Sequence, residues 1–153
     1  ELAISQERLL SSTIRRHLGL VLETYGHMAK HQHIVFATLP GERHELGLLM
    51  AAISCASRGF RAHYLGADLP AEEIARFARE TGASIVAISV TLQEQLADAR
   101  LQLRQVASAL DPGSVIWIGG AAAQLLEGDA LPANCVLVRD HLDLDRRLDM
   151  LAA

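Results

Sequence analysis

His44 holds the position from which this chain could do chemistry. It lies in the stretch Glu42-Arg43-His44-Glu45-Leu46-Gly47, between an apolar run that reads as a buried strand (Ile34 to Leu39) and the start of a helix. In an open α/β sheet such loops stand at the carboxyl ends of the strands, where ligands bind. A carboxylate two residues before the imidazole can steady one ring nitrogen and leave the other for a metal centre that needs a single protein ligand. Two further segments carry suitable groups. Ser89-Val90-Thr91 offers hydroxyls, and Gly119-Gly120 lets a ligand approach the backbone closely. Each alone has an ordinary reading. A loop histidine is a polar surface residue, hydroxyls at a strand end cap the next helix, and a glycine pair makes a turn.

The elements around these segments decide whether they meet. Residues 5–23 repeat Leu9, Leu10, Ile14, Leu18, Val21 and Leu22 at helical spacing, with Arg15, Arg16 and His17 read as a solvated face. That amphipathic helix must bury its stripe against something. Residues 24–33 are polar and carry His27, His31 and His33; they read as a solvated connector rather than a metal or haem site. From there strand and helix alternate. The first strand spans roughly 33–38, and its helix 46–58 turns Leu46, Leu49, Met50 and Ile53 inward before the stop at Gly59. A strand at 61–65 precedes a helix that opens at Pro70 and closes before Gly82. The almost wholly apolar run from Ser84 to Val90 reads as a central parallel strand. A long helix then carries Leu92, Leu96, Ala99, Leu103, Val106 and Leu110, and ends at Asp111-Pro112-Gly113. Val115 to Ile118 is strand four, followed by a short helix to about Leu126; Cys135 to Val138 is strand five, and Asp140 caps a final helix through Leu151.

Five strands with intervening helices predict an α/β fold, a doubly wound, flavodoxin-like parallel sheet of order 2-1-3-4-5. In that order strands one, three and four are neighbours. Glu42–Gly47, Ser89–Thr91 and Gly119-Gly120 then line one crevice.

Composition narrows the class of function. Half of the 153 residues are apolar and 21% are charged, enough for one domain core, and the formal net charge is −4. An acidic balance argues against direct contact with nucleic acid, so any action on DNA belongs to another domain or subunit. Cys55 and Cys135 stand far apart in apolar contexts and read as reduced thiols. No run is long and apolar enough to span a membrane and no signal peptide is visible, so the expected location is cytoplasmic. The chain starts at Glu1 within a helical pattern, as an excised domain would.

Taken together, the three segments resemble the signature of the cobalamin-binding domains: DxHxxG after strand one, SxL or SxT after strand three, and GG after strand four. Here these are Glu42-x-His44-x-x-Gly47, Ser89-x-Thr91 and Gly119-Gly120, and the resemblance covers about 120 residues of the chain. It implies that His44 is the lower axial ligand of cobalt, replacing the cofactor's own benzimidazole. It also implies that Glu42 holds the other imidazole nitrogen, with Ser89 completing the relay. Gly47 would open the helix where the displaced nucleotide tail enters, and Thr91, Gly119 and Gly120 would line the tail pocket. Glu42 stands where corrinoid methyltransferases usually have Asp. That departure looks more like the cobalamin-binding domains of bacterial transcription regulators, including the MerR-class light sensors and related antirepressors. In those regulators a helical bundle covers the upper corrin face, and its last helix carries a Glu-His pair before an Ile-Arg-Arg run. Glu7-Arg8 and Ile14-Arg15-Arg16 are similar, with Arg8 in the place of that histidine. Glu7 and Arg8 are accordingly candidate upper-face contacts. Residues 1–30 are expected to be the end of such a cap plus a linker, and 31–153 the cobalamin-binding α/β domain.

The resemblance implies a non-enzymatic sensory domain that binds cobalamin in an adenosyl, methyl or hydroxo form. It would control transcription, with light as one candidate signal, through a partner regulator or its own DNA-binding domain. The alternatives are a corrinoid carrier module of a methyltransferase system, which is the enzyme reading, and a haem-binding sensor on the same fold. A phosphoacceptor receiver domain fits poorly, because strand one lacks an acidic pair at its end and strand three ends in Ser-Val-Thr.

Overall fold

Ile34, Val35, Phe36 and Ala37 are all fully buried, so the first strand meets a core on both of its faces. Such a strand requires helices on both sides of its sheet. The computed structural model of the chain has them; it describes residues 3–29, 31–128 and 131–153. After a helix α1 (Ile4–Tyr25) and a short 3-10 turn come β1 (His33–Thr38), α2 (Leu46–Ser57), β2 (Arg61–Gly66), α3 (Ala71–Thr81) and β3 (Ile85–Ser89). A 3-10 turn at Gln93–Gln95 leads into α4 (Leu96–Ala109), then β4 (Val115–Gly119), a 3-10 turn at Ala123–Leu126, β5 (Cys135–Leu137) and α5 (His141–Ala152). The five strands form one parallel sheet of order β2-β1-β3-β4-β5, as the sequence predicts.

Alternate strand residues serve two separate cores. Val35, Ala37, Val86, Ile88, Ile116 and Ile118 pack under α3 and α4. Ile34, Phe36, Ala87 and Trp117 face α2 and α5 together with Leu48, Cys55, Leu144 and Leu148. Local signals set the helix ends: Gly82 closes α3 at φ 66°, and the Asp140 carboxylate accepts from the Asp143 N–H at 2.8 Å to cap α5. Both cysteines are free, and burial pushes the Cys55 thiol up to about 12 and Cys135 up to about 11, so neither is a ready thiolate.

Four expectations need correction. The inward face of α2 is Leu48, Leu49, Ala52, Cys55 and Ala56, whereas Met50 is half exposed. This helix is apolar nearly all round, so spacing alone does not pick its face. α4 begins at Leu96 rather than Leu92, because the preceding residues tighten into the 3-10 turn. The connector histidines are not merely solvated: the His31 ring lies 5.0 Å from Phe60, and His33 hydrogen-bonds His63 at 3.1 Å. Finally, α1 does not bury its stripe. Leu22 packs against the α2/α5 core while Leu9, Leu10, Ile14 and Val21 stay exposed. Residues 1, 2 and 30 of the expected cap and linker lie outside the described residues. No helix among the described residues is long and apolar enough to cross a membrane.

Candidate ligand-binding site

The loop between β1 and α2 is fastened to both neighbouring loops. Thr38 Oγ1 donates to the Glu42 carbonyl at 2.5 Å and accepts from the Asp68 N–H at 2.9 Å. The Gly41 N–H donates to Asp68 Oδ1 at 2.8 Å, and Gln95 Nε2 donates to the Gly41 carbonyl at 3.1 Å. These bonds fix the backbone from which Glu42 turns inward and His44 turns outward.

Glu42 is 4% exposed and fully engaged. Its Oε1 accepts from the His44 N–H at 2.9 Å and lies 2.8 Å from His44 Nδ1. Its Oε2 accepts from the Thr91 N–H at 2.9 Å and from Thr91 Oγ1 at 2.7 Å. Burial pushes the carboxyl pKa up. The bonds from the Thr91 hydroxyl, the His44 and Thr91 N–H groups and the His44 ring outweigh it, so the pKa lies below its ordinary value. An ionised carboxylate only accepts, so Nδ1 donates to it, and Nε2 is the nitrogen left to offer a lone pair to a metal. The His44 side chain is 66% exposed, which leaves that nitrogen reachable.

Thr91, not Ser89, therefore completes the relay to Glu42. Ser89 is the last residue of β3, paired in register with Thr38 and Gly119, while Thr91 lies past the strand end where the chain passes over Glu42.

A cavity of ≈ 540 Å³ opens beside His44 on the α2/α5 face. Phe36, Ala87 and Trp117, aligned across β1, β3 and β4, form its floor. Leu48 and Ala51 of α2 make one wall, His141 and Leu144 of α5 the other, and Ser89, Gly119, Gly120 and Arg139 stand toward its mouth. Glycine has different causes at two of these positions. At Gly120, φ is +106° and a Cβ would come within 2.5 Å of the Val90 carbonyl, so the turn itself requires it. At Gly47, the second residue of α2, a Cβ would meet no atom within 4 Å. Glycine inside a helix costs about 1 kcal/mol relative to alanine. No neighbouring atom demands it at Gly47, and the space it leaves belongs to the cavity.

The structure thus brings His44, Gly47, Ser89, Thr91, Gly119 and Gly120 to one cavity, with Glu42 behind the imidazole. Glu7 and Arg8 are exposed and do not line it; on α1 it is Ser11 and Arg15 that do. Arg15, read from sequence as part of a solvated face, makes an ion pair with the buried Glu45 at 2.6 Å. Tyr64 donates its hydroxyl to the same carboxylate, and burial, then that bond, push the phenol pKa up. No sequence signal marks Arg15 for this contact. Trp117 carried one weak signal, a large ring two residues before a glycine on the same strand face. Among the described residues no group of three or more His, Cys, Asp or Glu side chains could hold a metal ion, so His44 stands as a single donor.

Comparison with known proteins follows this geometry. The family model described as B12 binding domain matches residues 32–140. The chain is 34% identical over 123 residues to the HTH-type transcriptional repressor CarH of Myxococcus xanthus, covering 80% of this chain and 41% of that protein. It is 28% identical over 103 residues to dimethylamine corrinoid protein 3 of Methanosarcina acetivorans, covering 67% of this chain and 48% of that protein. The chain therefore spans less than half the length of these two relatives. Among solved structures, the monomethylamine corrinoid protein of Methanosarcina barkeri superposes with a TM-score of 0.69 at 13% identity, over 98% of this chain and 73% of that one, a likeness of fold.

Proposed function

This chain belongs to the B12-binding domain family, and from that premise we propose that it is a cobalamin-binding sensory domain that controls transcription through a partner regulator or a DNA-binding domain of a longer protein. One observation carries the reading of the site. A buried, ionised Glu42 takes Nδ1 of His44 and leaves Nε2 free at the mouth of the cavity. The residues fit the group in three respects: an imidazole nitrogen of fixed tautomer suits cobalt, Gly47 leaves space that no protein atom uses, and an apolar floor suits the base of a nucleotide tail. Bound there, the group would supply a cobalt–carbon bond whose state can carry a signal. His44 would hold cobalt through Nε2, Glu42 and Thr91 would orient the ring, and Ser89, Gly119 and Gly120 would border the tail. Residues 1–30 would belong to a cap and 31–153 to the binding domain, with Glu7 on the same helix face one turn before Ser11. A haem would leave the tail cavity without an occupant.

The regulatory reading is supported by the repressor relative, which matches 80% of the chain. A corrinoid carrier module is the second reading, favoured by the dimethylamine corrinoid relatives. The absorption spectrum after incubation with hydroxocobalamin or adenosylcobalamin tests the shared premise: the protein should retain the corrin through gel filtration. His44→Ala should lose lower-face ligation, and an unchanged cobalt spectrum in that variant would refute the axial role. Illuminating the adenosylcobalamin complex and measuring its size separates the two readings, since a light-gated sensor changes assembly state and a carrier does not.

A further inference from the structure

The chain order groups His33 with His27 and His31, yet the fold pairs it with His63, 30 residues later. In the parallel register His33 stands opposite Arg61 and Val35 opposite His63, so the two imidazoles are diagonal neighbours on the α3/α4 face. His33 opens β1 and His63 is the third residue of β2, so the pair lies toward the amino ends of the strands, away from the loop that carries His44. His33 Nδ1 and His63 Nε2 face each other at 3.1 Å, with ring centroids 5.0 Å apart and planes inclined by 48°. A straight bond between the two nitrogens would hold the centroids further apart, so the rings bend about the line that joins them. Phe77 of α3 backs His63 in an edge contact at 5.6 Å, and Arg61 turns its guanidinium to the Gly26 carbonyl at 3.2 Å. Both imidazoles are half-buried, held in place and still reachable.

We propose that His33 and His63 form a chelating site for a divalent transition-metal ion of the Zn²⁺, Ni²⁺ or Cu²⁺ class, which staples the edge strand β2 to β1. Two imidazole nitrogens bound at about 2.0–2.1 Å to a tetrahedral ion stand about 3.3 Å apart, so the pair is already close to that spacing. Imidazole selects such ions over Mg²⁺ and Ca²⁺, which prefer oxygen ligands. In the neutral pair one ring shifts its proton to its far nitrogen, which frees both facing lone pairs with no net proton released. Among the described residues no third His, Cys, Asp or Glu side chain completes the set, so water fills the remaining positions. The second donor is held in place by the sheet, and its binding is therefore intramolecular once the first has bound. The proposal does not depend on the cobalamin reading, because neither histidine lines the cavity beside His44.

Calorimetric titration of the chain with Ni²⁺ and with Mg²⁺ tests this, for the wild type, His33→Gln, His63→Gln and the exposed-histidine control His17→Gln. The wild type should bind Ni²⁺ and not Mg²⁺. Each variant of the pair should weaken Ni²⁺ binding at least about tenfold, and His17→Gln should stay within about twofold of the wild type. The chelate joins residues 30 positions apart and so exists only in the folded chain. Ni²⁺ should therefore raise the unfolding temperature of the wild type and leave that of both pair variants unmoved. A wild type that takes no Ni²⁺, or a pair variant that keeps the affinity or the thermal shift, overturns the proposal. Should either variant not fold by circular dichroism, the wild type alone decides by nuclear magnetic resonance. Substoichiometric Ni²⁺ should broaden the ring-proton signals of His33 and His63 before those of His17 and His27, and any other order would overturn the proposal.

Discussion

On the α3/α4 face of the sheet, Val86, Ile88, Ile116 and Ile118 fill row after row and none is more than 1% exposed, whereas on the α2/α5 face the same two strands carry Ile85 and Trp117 but shrink to Ala87, Ser89 and Gly119 toward their carboxyl ends. Strand register and twist are common to both faces, so backbone geometry cannot explain why one is solid and the other hollow. Side-chain size on alternate residues does. β-Branched residues close one face, and small residues hold the other open beside the only exposed imidazole attached to a buried carboxylate among the described hydrogen bonds. One sheet thus carries a filled face and a hollow one, and substitutions should separate the two.

The largest effect is expected on the closed face. Leu103→Ala removes a fully buried side chain from the α3/α4 core and should lower unfolding free energy by about 2–5 kcal/mol in a denaturant titration. Cobalamin affinity of the folded fraction should stay within about twofold. Next comes Glu42→Ala, which strips acceptors from the Thr91 N–H and the His44 ring. It should cost about 1–3 kcal/mol and weaken cobalamin binding by roughly 10–100-fold in a spectroscopic titration. An effect on stability alone would show that Glu42 only builds the loop.

Acid should act on the same carboxylate. The folded-state pKa of Glu42 is depressed, so its contribution is fully present above the ordinary carboxylate range and disappears as pH falls through the lowered value. Stability measured from pH 7 downward should therefore fall less steeply in Glu42→Gln than in the wild type; parallel curves would contradict the linkage. The smallest effect is expected at Gly47→Ala, where the two faces trade places most clearly. The ligand-free protein should gain about 0.5–1 kcal/mol from helix propensity, because the added methyl meets nothing. Cobalamin binding should weaken, and an unchanged affinity would remove Gly47 from the site.

Sheet order and the convergence of three loops were readable because they depend on short-range patterns: unbroken apolar runs such as Ile34–Ala37, helix stops such as Gly82, and the neighbour relation that the 2-1-3-4-5 order forces. What escaped depends on three-dimensional direction. Ser89 and Thr91 both offer hydroxyls two residues apart, and only the bend after β3 decides that Thr91 reaches Glu42. The buried side of α2 is set by what flanks it, with the sheet, α1 and α5 all competing for an apolar surface. Trp117 reads as an ordinary strand residue until the register shows that its row neighbour is Ala87.

His44 and Glu45 are consecutive, yet their side chains are tied to opposite parts of the molecule. His44 is held by Glu42 and through it by Thr91, while Glu45 is held by Arg15 and Tyr64. A single peptide unit is thus the junction between the mooring of α1 and the mooring of the imidazole. Arg15 and Tyr64 hold the one side chain, and Glu42 with Thr91 holds the other. Coupling between two such moorings is reciprocal by thermodynamic necessity. Any stabilisation of the one mooring that reaches the other must therefore be felt equally in both directions.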